Sequence, residues 1–199
     1  GRSVSVQSRW GEKIPEFRHY EGWVRYARTF DLDAAADRTF LRFGAINYTA
    51  KVWLNGELLG THEGGYTPFS FEATDALEDG ENVLVVQVDN QRYEDGIPNE
   101  ATDWFNFGGI NRSVDLVEVP EAYVRNFKVE SELDDGTVDV SVSAWVDGAD
   151  GADQAVSVAF PELDREATLE STGDGKFTGS FQFPEAEVSL WSTEDPHLY

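Results

Sequence analysis

The residues with the most chemical character lie in one long run, Asn90 to Phe107. It is polar through Glu94, Asp95, Asn99, Glu100 and Asp103, then abruptly aromatic at Trp104, Phe105 and Phe107. A structureless loop longer than about 12–15 residues in a compact domain is usually functional. Carboxylates and amides answer sugar hydroxyls, and aromatic rings cover the C–H-rich face of a sugar, so the run holds the parts of a carbohydrate contact. The same aromatics also suit a packed core, and the residues alone leave both readings open. No self-contained active site stands out elsewhere: the chain has no Gly-x-Ser-x-Gly elbow, no phosphate-binding glycine loop and no His-Glu-x-x-His. With 38 acidic residues, any two carboxylates could be named an acid/base pair, so pairing carries no information. His19, His62 and His197 lack metal-ligand spacing, and the absence of cysteine removes disulfides, zinc–thiolate sites and thiol catalysis. No metal site is expected. Gly64-Gly65 reads as a tight turn rather than an anion nest.

The elements around this loop are strands. Val24 and Tyr26 alternate with polar neighbours, with Arg28 next in line, and Phe69 and Phe71 sit between Ser70 and Glu72. Val83 to Val88 is nearly continuous in Val and Leu, which predicts a strand covered on both faces. Asn55-Gly56, flanked by Lys51-Val52-Trp53-Leu54 and Glu57-Leu58-Leu59, supplies the positive φ angles of a type I′ hairpin. Near Pro120 the texture changes to plain alternation. Val138, Val140, Val142 and Val146 face one way, followed by Val156, Val158 and Phe160, and then Phe177, Phe181 and Phe183. The turns between them carry Asp135-Gly136, Asp147-Gly148 and Gly173-Asp174-Gly175. Short strands at this spacing, with no capped helical stripe, predict two β-sandwiches in series with a boundary at Val119–Glu121.

Composition narrows the partners. The 199 residues are 40% hydrophobic and 13% aromatic, ample for packed cores, and no apolar stretch is long enough to span a membrane. The net charge of −23, with only four lysines, excludes a phosphate-backbone partner and so nucleic acid. Carboxylates spread along strand-like segments resemble adaptation to molar salt, where the Debye length is about 3 Å and self-repulsion is screened. The chain begins at Gly1 rather than Met and shows no charged-then-apolar leader, so a signal peptide, if one existed, is not visible. A soluble protein of high-salt cytoplasm is the expectation, with secretion also open.

Three blocks, in order, resemble glycoside hydrolase family 2, which includes β-glucuronidases, β-galactosidases and β-mannosidases. They are Glu63-Gly64-Gly65-Tyr66-Thr67-Pro68-Phe69 after Lys51 to Gly56, then Asp103 to Val114, then Leu190 to Tyr199. The β-glucuronidases are the most similar. The resemblance implies an all-β chain: a jelly-roll sugar-binding domain over 1–119, then an immunoglobulin-like sandwich over 120–199. It implies that the chain starts after the first jelly-roll strand and stops short of the last immunoglobulin-like strands. The family's third domain is a (β/α)₈ barrel carrying both catalytic glutamates. By this resemblance no residue here is catalytic, no cofactor is needed, and the missing barrel is a partner. The parent is expected to hydrolyse terminal β-glycosides with retention and to form homo-oligomers. Its sugar is not legible here, because the family's carboxylate-recognition residues belong to the barrel. The loop aspartate that contacts sugar hydroxyls in the family falls on Asp103, which is read either as a substrate contact in the intact enzyme or as a loop anchor. Trp104, Asn106 and Arg112 support the loop, Asn106 as a brace and Arg112 by pairing a buried carboxylate. Trp53 is expected in the core, and Trp145 falls on the polar parity of its strand. A stand-alone carbohydrate-binding module and a purely structural scaffold remain as rivals.

Overall fold

A computed structural model of the chain describes residues 3–33, 36–148 and 154–199, and it divides into two units, Gly1–Pro120 and Glu121–Tyr199. Both are all-β, a jelly-roll sandwich followed by an immunoglobulin-like unit. Among the described residues of the first, a short α-helical turn α1 (Trp10–Lys13) and a 3-10 turn (Pro15–Phe17) precede nine strands. These are β1 (Trp23–Leu32), β2 (Arg38–Phe43), β3 (Ile46–Asn47), β4 (Thr49–Leu54), β5 (Glu57–Glu63), β6 (Phe69–Glu72), β7 (Gly80–Asp89), β8 (Gly109–Ile110) and β9 (Val114–Val119). Among the described residues no helix is long and apolar enough to cross a membrane.

One antiparallel sheet runs β1-β7-β4-β5 and faces a second, β6-β2-β9, with β3-β8 as a short ladder. Alternation decides which side chains meet between them. Val52 and Leu54 on β4, Leu84, Val86 and Val88 on β7, and Leu41 and Phe43 on β2 are buried in one cluster, with Trp10 at its margin. Phe43 stacks on Phe69 with ring centroids 4.9 Å apart. The β4–β5 hairpin turns through Asn55 at φ 51° and Gly56 at φ 89°, the left-handed pair that type I′ geometry requires. On β7 the expectation of two covered faces is corrected. Val83 is exposed, because β7 is central within its sheet but only one of its faces meets the other sheet.

The second unit is an antiparallel sheet in the order β10 (Tyr123–Asp134), β11 (Thr137–Asp147), β14 (Lys176–Pro184), β13 (Arg165–Gly173), β12 (Val156–Phe160). Strand β13 pairs with β12 through Arg165–Leu169 and with β14 from Glu170 onward. The sheet thereby folds over, and Phe160 meets Phe181 and Phe183 at 5.2 and 5.4 Å. The expected rows of Val138 to Val146 and Phe177 to Phe183 form its core. Register places Phe127, Val129 and Leu133 of β10 opposite Ala144, Val142 and Val138, hence on the core side, yet all three are exposed.

Candidate functional site

The long run leaves the sheet at the end of β7, and its root is held by buried polar side chains. Asp89 is 1% exposed; its Oδ1 accepts the Gln91 N–H at 2.9 Å and its Oδ2 the Tyr93 hydroxyl at 3.2 Å. Burial, with Asp89 beside it, raises the Tyr93 phenol above its ordinary pKa, so it stays a donor. Next comes Asn90, fully buried. Its Oδ1 accepts the Gly22 N–H at 2.9 Å, and its Nδ2 donates to the carbonyls of Tyr20 at 3.3 Å and Asn106 at 3.0 Å. Asn106, at the far end of the loop, donates from Nδ2 to the Asn90 carbonyl and accepts from Asn47 Nδ2 at 2.9 Å. Asn47 also donates to the Phe107 carbonyl at 2.9 Å. Both ends of the loop are therefore joined by side-chain amides that take the place of a backbone ladder.

Above this root the guanidinium of Arg92 grips the loop from within. Nη1 donates to the Thr102 carbonyl, Nη2 donates to the Trp104 carbonyl at 2.6 Å, and Nε lies 3.0 Å from Glu21 Oε1. The residue between those carbonyls is Asp103. It is exposed, and no hydrogen bond or ion pair joins its carboxylate to a described residue. Trp104 and Phe105 are 69% and 48% exposed, so neither belongs to a core. Phe105 packs against His19 at 4.9 Å, while Phe107 is half-buried under Arg9, whose guanidinium carbon lies 4.1 Å from its ring centroid. The loop returns to β8 through Gly108, where a Cβ would come within 2.1 Å of the buried Trp10 ring, so no side chain fits.

The Glu63–Phe69 block meets the same root. Its Gly64 N–H donates to the Tyr48 carbonyl at 3.1 Å, and Gly65 lies against Asn47 Oδ1. His62, just before it, stacks on Phe69 with centroids 3.9 Å apart. Burial holds its imidazole below the ordinary value, against the opposing Gly64 hydrogen bond and Glu63 charge. At Gly64-Gly65 the chain bends without a hydrogen-bonded turn of its own, with Gly64 at φ 134°. Among the described residues, no three His, Asp or Glu side chains gather as a metal site.

Two expectations are corrected. Arg112 does not pair a buried carboxylate: its side chain is exposed and without an ion pair to a described residue, and only its backbone N–H is engaged, by the Ala45 carbonyl at 3.4 Å. Trp53 is half-buried on the opposite parity to Val52 and Leu54, outside the core. Trp145 likewise lies off the core parity of β11, with Lys176 Nζ 5.5 Å from its ring centroid. The residues that do hold the loop, Asn47, Asn90, Arg92 and Glu21, carry no spacing signal. A polar residue opening a long loop beside a strand end was the one available hint, and Asn90 and Arg92 meet it.

The sugar-binding-domain model of glycosyl hydrolases family 2 matches residues 4–120, and the succeeding model of the same family matches residues 122–199. The chain belongs to glycosyl hydrolase family 2. A β-galactosidase of Clostridium acetobutylicum is 31% identical over 176 residues, covering 81% of this chain and 18% of that protein. A β-glucuronidase of Canis lupus familiaris is 28% identical, covering 88% of this chain and 30% of its own length. Among solved structures, a Bifidobacterium dentium β-glucuronidase complexed with coumarin-3-O-glucuronide superposes with a TM-score of 0.81 at 26% identity, over 96% of this chain and 38% of that one. The chain thus spans well under half the length of the family 2 proteins it matches. Residues 103–114 and 63–69, the blocks that converge on Asn47, lie inside the sugar-binding segment.

Proposed function

We propose that this chain is the non-catalytic amino-terminal portion of a retaining β-glycosidase of the glucuronidase or galactosidase type. Its 91–107 loop presents Asp103 to the sugar pocket completed by the catalytic barrel. The observation that carries this reading is the contrast along the loop. At its root the Asp89 carboxylate and the side-chain amides of Asn90 and Asn106 are all hydrogen-bonded, while the Asp103 carboxylate is exposed and has no partner among the described residues. A retaining glycosidase needs two carboxyls about 5–5.5 Å apart across the scissile bond, and that pair is assigned to the barrel rather than to any residue here. Asp103 supplies an acceptor for a sugar hydroxyl, worth about 1.5–3 kcal/mol once desolvated. The acidic surface, at −23, fits a salt-adapted parent.

The test is Asp103→Asn in the longer enzyme. The value of kcat/KM should fall roughly ten- to a hundred-fold, or about 1.4–2.7 kcal/mol. In the present chain the same change should leave stability within about 0.5 kcal/mol. Unchanged kinetics would refute the reading. A second reading, a free carbohydrate-binding module, is favoured by the exposed Trp104 and Phe105 pair. Calorimetric titration of the chain with glucuronides and galactosides separates the two: millimolar or tighter binding without the barrel supports the module.

A further inference from the structure

We infer that Arg92 is the positioning residue for Asp103, acting through the backbone on either side of it. This deepens the functional reading above and rests on it for its consequence, though not for its geometry. The two carbonyls that Arg92 binds belong to Thr102 and Trp104, the immediate neighbours of Asp103. One planar group therefore holds the peptide that enters Asp103 and the peptide that leaves Trp104, bracketing the aspartate from both sides. The Arg92 side chain is 16% exposed, so the loop wraps it; its bond to Thr102 is part-buried and its bond to Trp104 lies at the surface. Its third edge lies 3.0 Å from Glu21, whose side chain is 36% exposed but whose backbone is held on both sides. The Tyr20 carbonyl accepts from Asn90 Nδ2, and the Gly22 N–H donates to Asn90 Oδ1, so the residues flanking Glu21 are tied to the end of β7. Asn90, Glu21, Arg92 and the 102–104 backbone form one continuous polar chain from the sheet to the exposed carboxylate.

The arrangement requires arginine. A guanidinium presents several donors in a rigid fork, whereas an ammonium is a compact point donor on a flexible stem. Lysine could keep the charge opposite Glu21 but could not span two carbonyls in fixed geometry. An exposed loop carboxylate would otherwise lose conformational freedom on meeting a sugar; Arg92 removes that cost beforehand.

The experiment combines two readouts on Arg92→Lys and Glu21→Gln. In the chain itself, hydrogen exchange of the 99–105 amides should accelerate at least tenfold in Arg92→Lys and less in Glu21→Gln, with β1 and β7 amides unchanged. Unaltered exchange in the loop, or equal acceleration throughout the first unit, would overturn the positioning role. In the longer enzyme, Arg92→Lys should lower kcat/KM about tenfold in the Asp103 background and cause no further loss once Asp103→Asn is present. Equal losses in both backgrounds would also overturn it. If Asp103→Asn alone leaves kinetics unchanged, the substrate-contact reading fails, and the exchange result still decides whether Arg92 orders the loop.

Discussion

Removing the Asn106 side chain tests whether the loop is held by its root. In Asn106→Ala, the Asn90 carbonyl loses the Nδ2 donor, and Asn47 Nδ2 loses one of its two acceptors, keeping only the Phe107 carbonyl. Asn106 is 9% exposed and Asn90 and Asn47 are fully buried, so solvent reaches the orphaned groups poorly. Each buried polar group left unsatisfied costs about 1–3 kcal/mol, which gives about 2–4 kcal/mol after local relaxation. For a domain near this size, that corresponds to a fall in Tm of about 10 °C. Asn106→Asp refines the test. Its carboxylate can still accept from Asn47 but has no proton for the Asn90 carbonyl, so the charged form is disfavoured and the aspartate pKa is raised. A raised acid pKa means the penalty is greatest above it and is relieved as pH falls and the group protonates. The gap in Tm between wild type and Asn106→Asp should therefore narrow between pH 8 and pH 5. Thermal melts of both variants supply the measurement. Asn106→Ala melting within about 2 °C of wild type would show that the amide cluster does not hold the loop.

Three further outcomes are expected. Raising KCl from about 0.15 to 2 M, which shortens the Debye length from about 8 Å to under about 3 Å, should raise Tm by several degrees by screening the charge of −23; a flat curve would remove the salt-adapted reading. Burial lowers the folded-state pKa of His62, so the unfolded state takes up more protons below its own pKa of about 6.5, and stability should decline as pH drops through that value. His62→Gln should flatten that decline between pH 7 and 5 in melts run side by side, and an equal slope would exclude His62 as its source. Phe183→Ala, at 2% exposure against Phe160, should cost about 3–5 kcal/mol in urea titrations, whereas Phe127→Ala, at 69% exposure, should stay within about 0.5 kcal/mol.

What was legible in the sequence follows the range of the signal. Alternation is local, so the rows Val138–Val146 and Phe177–Phe183 could be read as core faces, and both are buried in the second unit. The Asn55-Gly56 turn is local too, because its φ requirement sits within two residues. Whether a face is covered is not local. Val83 and Trp53 look as apolar as Leu84 and Val52, and only the placement of the second sheet separates them. Arg112 illustrates the same limit: a basic residue at a strand start suggested a buried acid, but among the described residues no carboxylate pairs with it.

The loop divides along the same line. Its length and its aromatic end are properties of one contiguous segment and could be named from the residues alone, while Asp103 is singled out by the family resemblance. Its rigidity depends on Asn47, Asn90 and Asn106, which are separated by 16 to 59 residues and meet only after β3, β7 and the approach to β8 are in place. Buried amides have no periodicity, because each is placed by its hydrogen-bond partners rather than by a face. The physical consequence bears directly on function. A loop fixed by apolar packing would need to bury Trp104 and Phe105, and would leave less of its surface to meet a ligand. A loop fixed by amides at its root and by Arg92 along its backbone keeps those rings and the Asp103 carboxylate at the surface, already ordered. That arrangement suits the sugar pocket proposed above, in which one wall is ordered before it meets the other.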